Sequence, residues 1–479
     1  MEYEPVIGLE VHAQLLTKSK MFCRCSADYA GAAPNTHVCP ICMGMPGVLP
    51  SINQTAVEYT IMTALALNCQ IPEFSKFDRK NYPYPDLVKG YQISQYDMPF
   101  SQHGWLQVEV DGVVRKLGIT RVHLEEDTAK LLHVTEENGQ SYSLVDVNRS
   151  GTPLMEIVGE PDIRSAQEAR AYLIKLRAIL QALGVSTGNM EEGSFRCDTN
   201  VSIRPKGSDK LGAKVEVKNL NSFRSVQRAV EYEFERQAAM LESGGKIVQE
   251  TRGWVEERGV TVSQRTKEFA HDYRYFPEPD LPPLVITRQW VEEIRAKLPE
   301  LPDARRGRFI TQYGLGADSA AALTNSRATA DFFEEAVKLH PQPRVVANWM
   351  QSELFRLLKD GEGDVSGTKF TPAMLAELLT LVEKGIINAR TAKEVFEEMF
   401  NTGTPAGKIV KEKGLTQISD TAHLEIVVDD VIKANPQAVA DFQAGKGNAL
   451  GFLVGHVMKI TRGQANPGVV NKLLKDRLG

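Results

Sequence analysis

Hydrophobic and polar residues alternate over Val6-Ile-Gly-Leu-Glu-Val-His-Ala-Gln-Leu15, and a period of two predicts a strand with Glu10, His12 and Gln14 on one face. The alternation returns over 105–122, where Asp111-Gly112 supplies a hairpin turn, and a second hairpin is expected over 133–144 around Asn138-Gly139. Lys214 to Ser222 alternates once more, then runs into an Asn/Ser cap and a helix through Glu242. A helical period appears over 56–67. It is clearest after Ser165-Ala-Gln-Glu168, a capping box followed by Ala169, Tyr172, Leu173, Leu176, Ile179 and Leu180, with Gly184 closing the helix.

Past the prolines at 277, 279, 282 and 283 the period is helical throughout, over 290–298, 303–313, 319–340, 345–359 and 372–400, the last opened by Thr371-Pro372. Gly361 to Gly367 is a flexible break, and a further segment begins after Gly403-Thr-Pro405. The first half therefore reads as mostly antiparallel sheet with helices, and the second half as helical.

At 479 residues the chain is long enough for two to four domains. With 42% hydrophobic and 24% charged residues it has the composition of a globular protein, and no apolar run approaches the ~20 residues of a membrane span. The start, Met-Glu-Tyr-Glu-Pro-Val, is acidic and carries no signal pattern, so a cytoplasmic location is expected. A net charge of -5 argues against coating nucleic acid by bulk charge but permits a local basic patch.

Carboxylates crowd the short β-branched runs between 119 and 162: Glu125, Glu126, Asp127, Asp146, Glu156, Glu160 and Asp162. A purely structural strand would carry uncharged side chains there, so a cation is expected, and carboxylates at strand ends with a nearby His suit Mg²⁺ or phosphoryl transfer. Glu191, Glu192 and Asp198, with Arg196 and Asn200, bring the acidic theme back. Glu10 and His12, two apart on one strand face, could converge on the same ion or form a solvated outer face.

Cys23-Arg-Cys25 and Cys39-Pro-Ile-Cys42 place four of six cysteines within twenty residues. The second pair has zinc-knuckle spacing, the first is one residue short of it, and buried free thiols are the alternative. If zinc binds, it is structural, because four thiolates leave no open position. Residues 75–97 hold four tyrosines with Arg79 and Lys80, a composition that fits stacking on bases and holding phosphates, or a Pro-braced loop packed on a sheet. Arg252, Arg265 and Arg274 fit phosphate contacts or plain solvated charge. The glycine-rich stretch 445–467 carries Lys446, Lys459 and Arg462 and suits contacts to an RNA backbone, with close helix packing as the other reading.

Nine motifs in order, among them Ile7-Gly-Leu-Glu-Val-His12, Ser75-Lys-Phe-Asp-Arg-Lys-Asn-Tyr82, His123-Leu-Glu-Glu-Asp127, Met190-Glu-Glu-Gly193, Lys218-Asn-Leu-Asn-Ser-Phe223 and Gly451-Phe-Leu-Val-Gly455, make the chain resemble the B subunits of tRNA-dependent amidotransferases over its whole length. The resemblance implies an α+β fold: a largely antiparallel β cradle domain over 1–292, an all-α helical domain over 293–405 and a small helical tail over 406–479 that contacts tRNA. It implies an ATP-dependent carbon–nitrogen ligase in which the side chain of misacylated Glu-tRNA(Gln) or Asp-tRNA(Asn) is phosphorylated and then amidated. Ammonia would come from an amidase-type glutaminase subunit, with a small third subunit completing a heterotrimer, since no Ser-Ser-Lys or Cys-His nucleophile pattern is present here. Mg²⁺ maps onto His12, Glu125 and Glu156, with Glu10 as a second-ion or substrate contact. Arg79 and Lys80 are the nearest candidates for holding the phosphates of ATP. Where the family usually reads Glu-Glu-Asp-Ala-Gly-Lys, this chain has Thr128 and Ala129 after Asp127. A non-catalytic tRNA-binding scaffold is the competing class, and it has no use for a buried carboxylate–His cluster.

Overall fold

The computed structural model describes residues 2–266, 273–358, 365–415, 421–443, 446, 448–461 and 465–479. The chain divides into two compact units, Met1–Pro302 and Asp303–Gly479.

The first unit is built on the alternation of its opening strand. β1 (Tyr3–Gln14) turns Ile7, Leu9, Val11 and Ala13 into the core and leaves Glu10, His12 and Gln14 on the opposite face. In chain order follow α1 (Gln54–Ala66), β2 (Phe74–Ser75), β3 (Asp78–Asn81), β4 (Tyr91–Ser94), β5 (Ser101–Val110), β6 (Val113–Glu126), β7 (Lys130–Thr135), β8 (Ser141–Asp146) and β9 (Pro153–Gly159). Then come α2 (Ala166–Leu183), β10 (Phe195–Pro205), β11 (Val215–Lys218), α3 (Phe223–Glu242), β12 (Glu250–Val255), β13 (Val260–Thr266), β14 (Phe276–Pro277), β15 (Leu284–Val285) and α4 (Arg288–Arg295).

Eight strands form one sheet in the order β13-β12-β11-β10-β1-β9-β6-β5, antiparallel except between β11 and β12. The apolar face is covered by helices, which pack because their stripes match it. Ser165 caps α2 by accepting from the Glu168 amide at 3.1 Å, while the Glu168 carboxylate accepts from the Arg164 amide at 2.8 Å. The same helix buries Ala169, Tyr172, Leu173, Leu176 and Leu180 at 1% exposure or less. Each such leucine contributes about 2 kcal/mol. Ser222 caps α3 in the same way, at 3.0 Å from the Ser225 amide. β14-β3-β4 is a small separate sheet whose strand β4 lies against β6, and β7 and β8 form the hairpin expected around Asn138-Gly139. The stretch 75–97, read as aromatic and phosphate-holding or as a packed loop, thus contains two short strands.

The second unit is helical, as the periodicity predicts, but two of the long helices expected there are broken and a third is locally widened. The helix expected over 319–340 stops at Leu323 and restarts at Arg327, because Ser326 adopts an extended conformation and caps the amide of Thr329. That over 372–400 is split between Pro372–Glu383 and Ala389–Thr402 by Asn388, which caps the Thr391 amide at 2.9 Å. That over 345–359 contains a π turn at Met350–Leu354. One core gathers around Phe309, Phe333, Phe370 and Phe396, and a second gathers Leu424, Val428, Leu453, Val457 and Leu474 from three of the last four helices. No described helix is long and apolar enough to cross a membrane. The expected break at 361–367 lies largely outside the described residues, as do Arg462 and residues 267–272.

Candidate functional site

β9 lies between β1 and β6, and the register sets Arg196 of β10, His12 of β1, Glu156 of β9 and His123 of β6 directly across from one another. Partners opposite each other in a sheet share a face. Four charged or titratable side chains therefore form one row on the face that the helices leave uncovered. Glu125 follows His123 by two positions and stays on that face.

His12 Nε2 lies 3.4 Å from Glu156 Oε2 and 3.8 Å from Glu125 Oε1. His123 Nε2 lies 3.2 Å from Glu156 and 3.7 Å from Glu125. The Ser94 hydroxyl of β4 donates to Glu125 at 2.9 Å. His123 and Glu125 are each 2% exposed and Glu156 is 9% exposed, so these charges are held largely out of water. Burial would lower the imidazole of His12, but the carboxylates of Glu156 and Glu125 outweigh it and hold it above its ordinary value. His123 is raised for the same reason. Burial opposes ionisation of Glu156, yet the two imidazoles hold it well below the usual carboxylate range. Glu125 is likewise held low, by His123 and Lys80 against burial.

One donor atom from each of His12, Glu125 and Glu156 lies within 4.8 Å of the others, close enough to share an ion. The two carboxylates supply the hard oxygens that Mg²⁺ requires. The Nδ1 of His123 is buried and has no hydrogen-bond partner among the described residues. The sequence offers His123 only as part of the His123–Asp127 motif and assigns it no site role, although its spacing to Glu125 on a strand is the signal for one.

Residues 79 and 80 separate by strand parity. Lys80 faces the acidic row, and although burial opposes its charge, Glu125, Tyr275 and Glu156 raise its ammonium above the ordinary value. Its Nζ lies 5.0 Å from the ring centre of Tyr273. Arg79 turns the other way. It grips Glu278 at 2.7 and 2.8 Å, reaches Asp280 at 3.3 Å and stacks on Tyr91. Glu10 accepts from Asn200 at 2.8 Å and stands opposite Asp198, two residues along the strand from the row's His12.

Asp127 ends the acidic run. It accepts from Arg196 at 2.6 Å and Gln14 at 2.7 Å, with Arg149 at 3.8 Å, and these partners hold it below its usual range against burial. Ala129 is fully buried and donates its amide to the Asp86 carbonyl at 2.9 Å.

Cys23, Cys25, Cys39 and Cys42 converge, with their sulfurs within 4.8 Å of one another. A tetrahedral ion with bonds of about 2.3 Å would draw such sulfurs to roughly 3.8 Å apart, so the set fits zinc. A hydrogen bond with Cys23 pushes the Cys42 thiol down to about 5, while burial pushes Cys25 up to about 11.

In the second unit, Lys459 is exposed in the last turn of the helix Asn448–Ile460, and Lys446 is exposed and pairs with Asp441 at 3.0 Å. Arg462, grouped with them from the sequence, lies outside the described residues.

A family model described as "GatB/GatE catalytic domain" matches residues 5–292, and one described as "GatB domain" matches 331–478. Curated relatives run the full length. The chain is 59% identical to the B subunit of an aspartyl/glutamyl-tRNA(Asn/Gln) amidotransferase from Moorella thermoacetica, with 100% of both chains covered. It is 58% identical to the protein of that name from Carboxydothermus hydrogenoformans and 57% identical to that from Thermomicrobium roseum, each match covering 100% of this chain and 99% of the relative.

Proposed function

The chain belongs to the family of aspartyl/glutamyl-tRNA(Asn/Gln) amidotransferase B subunits, and from that premise we propose that its cradle activates the side-chain carboxylate of Glu or Asp misattached to tRNA. A carboxylate oxygen attacks the γ-phosphorus of ATP, ADP leaves, and an acyl phosphate forms. Ammonia then adds to the acyl carbon, phosphate departs, and Gln-tRNA(Gln) or Asn-tRNA(Asn) results. ATP is needed because a carboxylate is a poor electrophile and phosphate is a good leaving group.

The observation that carries this reading is the buried row His12–Glu156–His123 with Glu125 beside it. Paired carboxylates at this depth are costly unless a cation and hydrogen bonds compensate them. His12, Glu125 and Glu156 would hold Mg²⁺, which when bound offsets charge on the transferring phosphoryl group. Ser94 and His123 hold the carboxylates in place through the contacts described above. Lys80 brings a positive charge to the same face and suits the phosphate oxygens. Arg79, clamped by Glu278, supports the small sheet that carries Lys80 and would reach a phosphate only by releasing that carboxylate. Glu10 would contact substrate or a second ion.

Ammonia would be delivered by an amidase-type glutaminase subunit, with a small third subunit in the complex. The four cysteines would hold a structural zinc. Lys446, Lys459 and Arg462 would touch the tRNA backbone. The direct test mixes the chain and its partner subunits with ATP, glutamine and each mischarged tRNA, and scores amide formation. Amidation that requires ATP supports the reading, whereas amidation without ATP, or none with either tRNA, refutes it.

A further inference from the structure

Lys20 has no part of its side chain in contact with solvent. Its ammonium donates to the His37 carbonyl at 2.7 Å, to the Val147 carbonyl at 3.4 Å and to Cys42 Sγ at 3.8 Å, which uses all three of its hydrogens. Among the described residues no carboxylate lies within the 4.0 Å of an ion pair with it. A lysine charge is a compact, strongly hydrated point, and burying one without a counter-charge is expensive. Two neutral carbonyls solvate it but do not neutralise it. The Glu126 carboxylate beside Gly151 pairs with Lys89 instead, and the anion in contact with Lys20 is sulfur: Cys42 as a thiolate, in a group of four that zinc would hold with a net charge of −2.

The same contacts join the cysteine loop to the acidic row. Gly151 has φ of +83°, and a Cβ there would stand 3.4 Å from Lys20 Cδ and 3.5 Å from Cys42 Cβ, so the loop packs directly on the glycine. The Met21 amide donates to the Gly151 carbonyl at 2.7 Å, the Gly151 amide to the Asp127 carbonyl at 2.9 Å, and the Asp127 amide to the Thr152 carbonyl at 2.8 Å. Asp127 in turn fixes Arg196, which stands opposite His12.

We propose that Lys20 is a positioning residue: its ammonium is the buried counter-charge of a tetrathiolate zinc site and pins that site to the 147–152 turn, so that zinc occupancy sets how firmly Asp127 and Arg196 are held. This rests on the zinc reading of the four cysteines given above. A hydrogen-bond donor to a metal ligand commonly matters ten- to a hundredfold in affinity.

In the full chain, Lys20→Met is expected to weaken zinc binding by about tenfold or more in chelator competition, while Lys18→Met, an exposed lysine two residues away, leaves it unchanged. Equal affinity in Lys20→Met and wild type overturns the role of Lys20. Wild-type protein supplies the second measurement, which does not depend on the variant folding. Stripping zinc is expected to speed hydrogen exchange at the amides of Gly151 and Asp127 by about tenfold or more, with the β11 amides unchanged, as for a local opening. Exchange unaffected by zinc at those two amides overturns the coupling. A chain that binds no zinc overturns the zinc reading and this inference with it.

Discussion

Asp127→Asn isolates the clamp at the edge of the acidic row. The wild-type carboxylate is 2% exposed and meets Arg196 at 2.6 Å, where the gross attraction is about 6 kcal/mol at an effective dielectric of ~20. Desolvation offsets most of that, and removing one partner of a buried pair typically costs about 3–5 kcal/mol. Two features reduce the figure here. The Arg196 side chain keeps 36% of its surface in water, so an orphaned guanidinium is still partly hydrated. The asparagine also retains one oxygen that can accept from Gln14 or Arg196. A loss of about 2 kcal/mol follows, which in a unit of this size lowers the melting temperature by about 4 °C. Differential scanning calorimetry at pH 7 measures it, with the exposed hairpin substitution Glu137→Gln as the control expected to leave the midpoint within about 1 °C. In a double-mutant cycle, Asp127→Asn/Arg196→Gln should be little worse than either single change. A midpoint equal to that of the control, or strictly additive losses in the cycle, would refute the clamp.

In the absence of divalent cations, stability should depend on pH with two flanks. His12 and His123 lie above their ordinary 6.5, so their contribution is complete below 6.5 and is lost as pH rises through their folded values. Glu125 and Glu156 lie below their ordinary 4.5, so theirs is complete above 4.5 and fades as pH falls. Melting temperature measured in chelator should therefore peak between these values, and saturating Mg²⁺ should flatten the alkaline flank; a monotonic profile contradicts the coupling. Gly151→Ala forces a side chain into φ of +83° and should cost about 1 kcal/mol, read by urea unfolding, with no loss counting against the tight turn. Deleting the residues after Gly403 should raise the KM for charged tRNA far more than it lowers glutaminase activity in the assembled complex. Lys459→Ala alone should reduce the salt dependence of tRNA binding by about one unit of slope, and an unaltered slope would remove Lys459 from the interface.

Local features of the fold were legible wherever a short window determines them. The strand face carrying Glu10, His12 and Gln14 follows from alternation alone. The caps at Ser165, Ser222 and Thr371 and the hairpin at Asn138-Gly139 are set by residues within reach of their own backbone. Caps inside a long helical pattern were not legible: Ser326 and Asn388 interrupt periods that continue on both sides of them. The row itself depends on sheet order, which places Arg196 and His12 side by side although they are far apart in the chain. Strand parity explains why Lys80 faces the acidic row and Arg79 does not, since a one-residue shift in register exchanges the two. Nothing in Lys18-Ser-Lys20 distinguishes the buried lysine from the exposed one. Only the packing of the cysteine loop on Gly151 does that.

Glu125→Gln tests the central claim most directly. In the full complex with ATP and mischarged tRNA but no ammonia source, the acyl phosphate can be trapped with hydroxylamine and counted. The variant should bind charged tRNA as wild type does and form the trapped product at least about a hundredfold more slowly, as expected when a group that acts on the transferring charge is neutralised. Trapped product at the wild-type rate, or tRNA binding lost in the same proportion, would contradict a carboxylate–histidine row that activates the substrate.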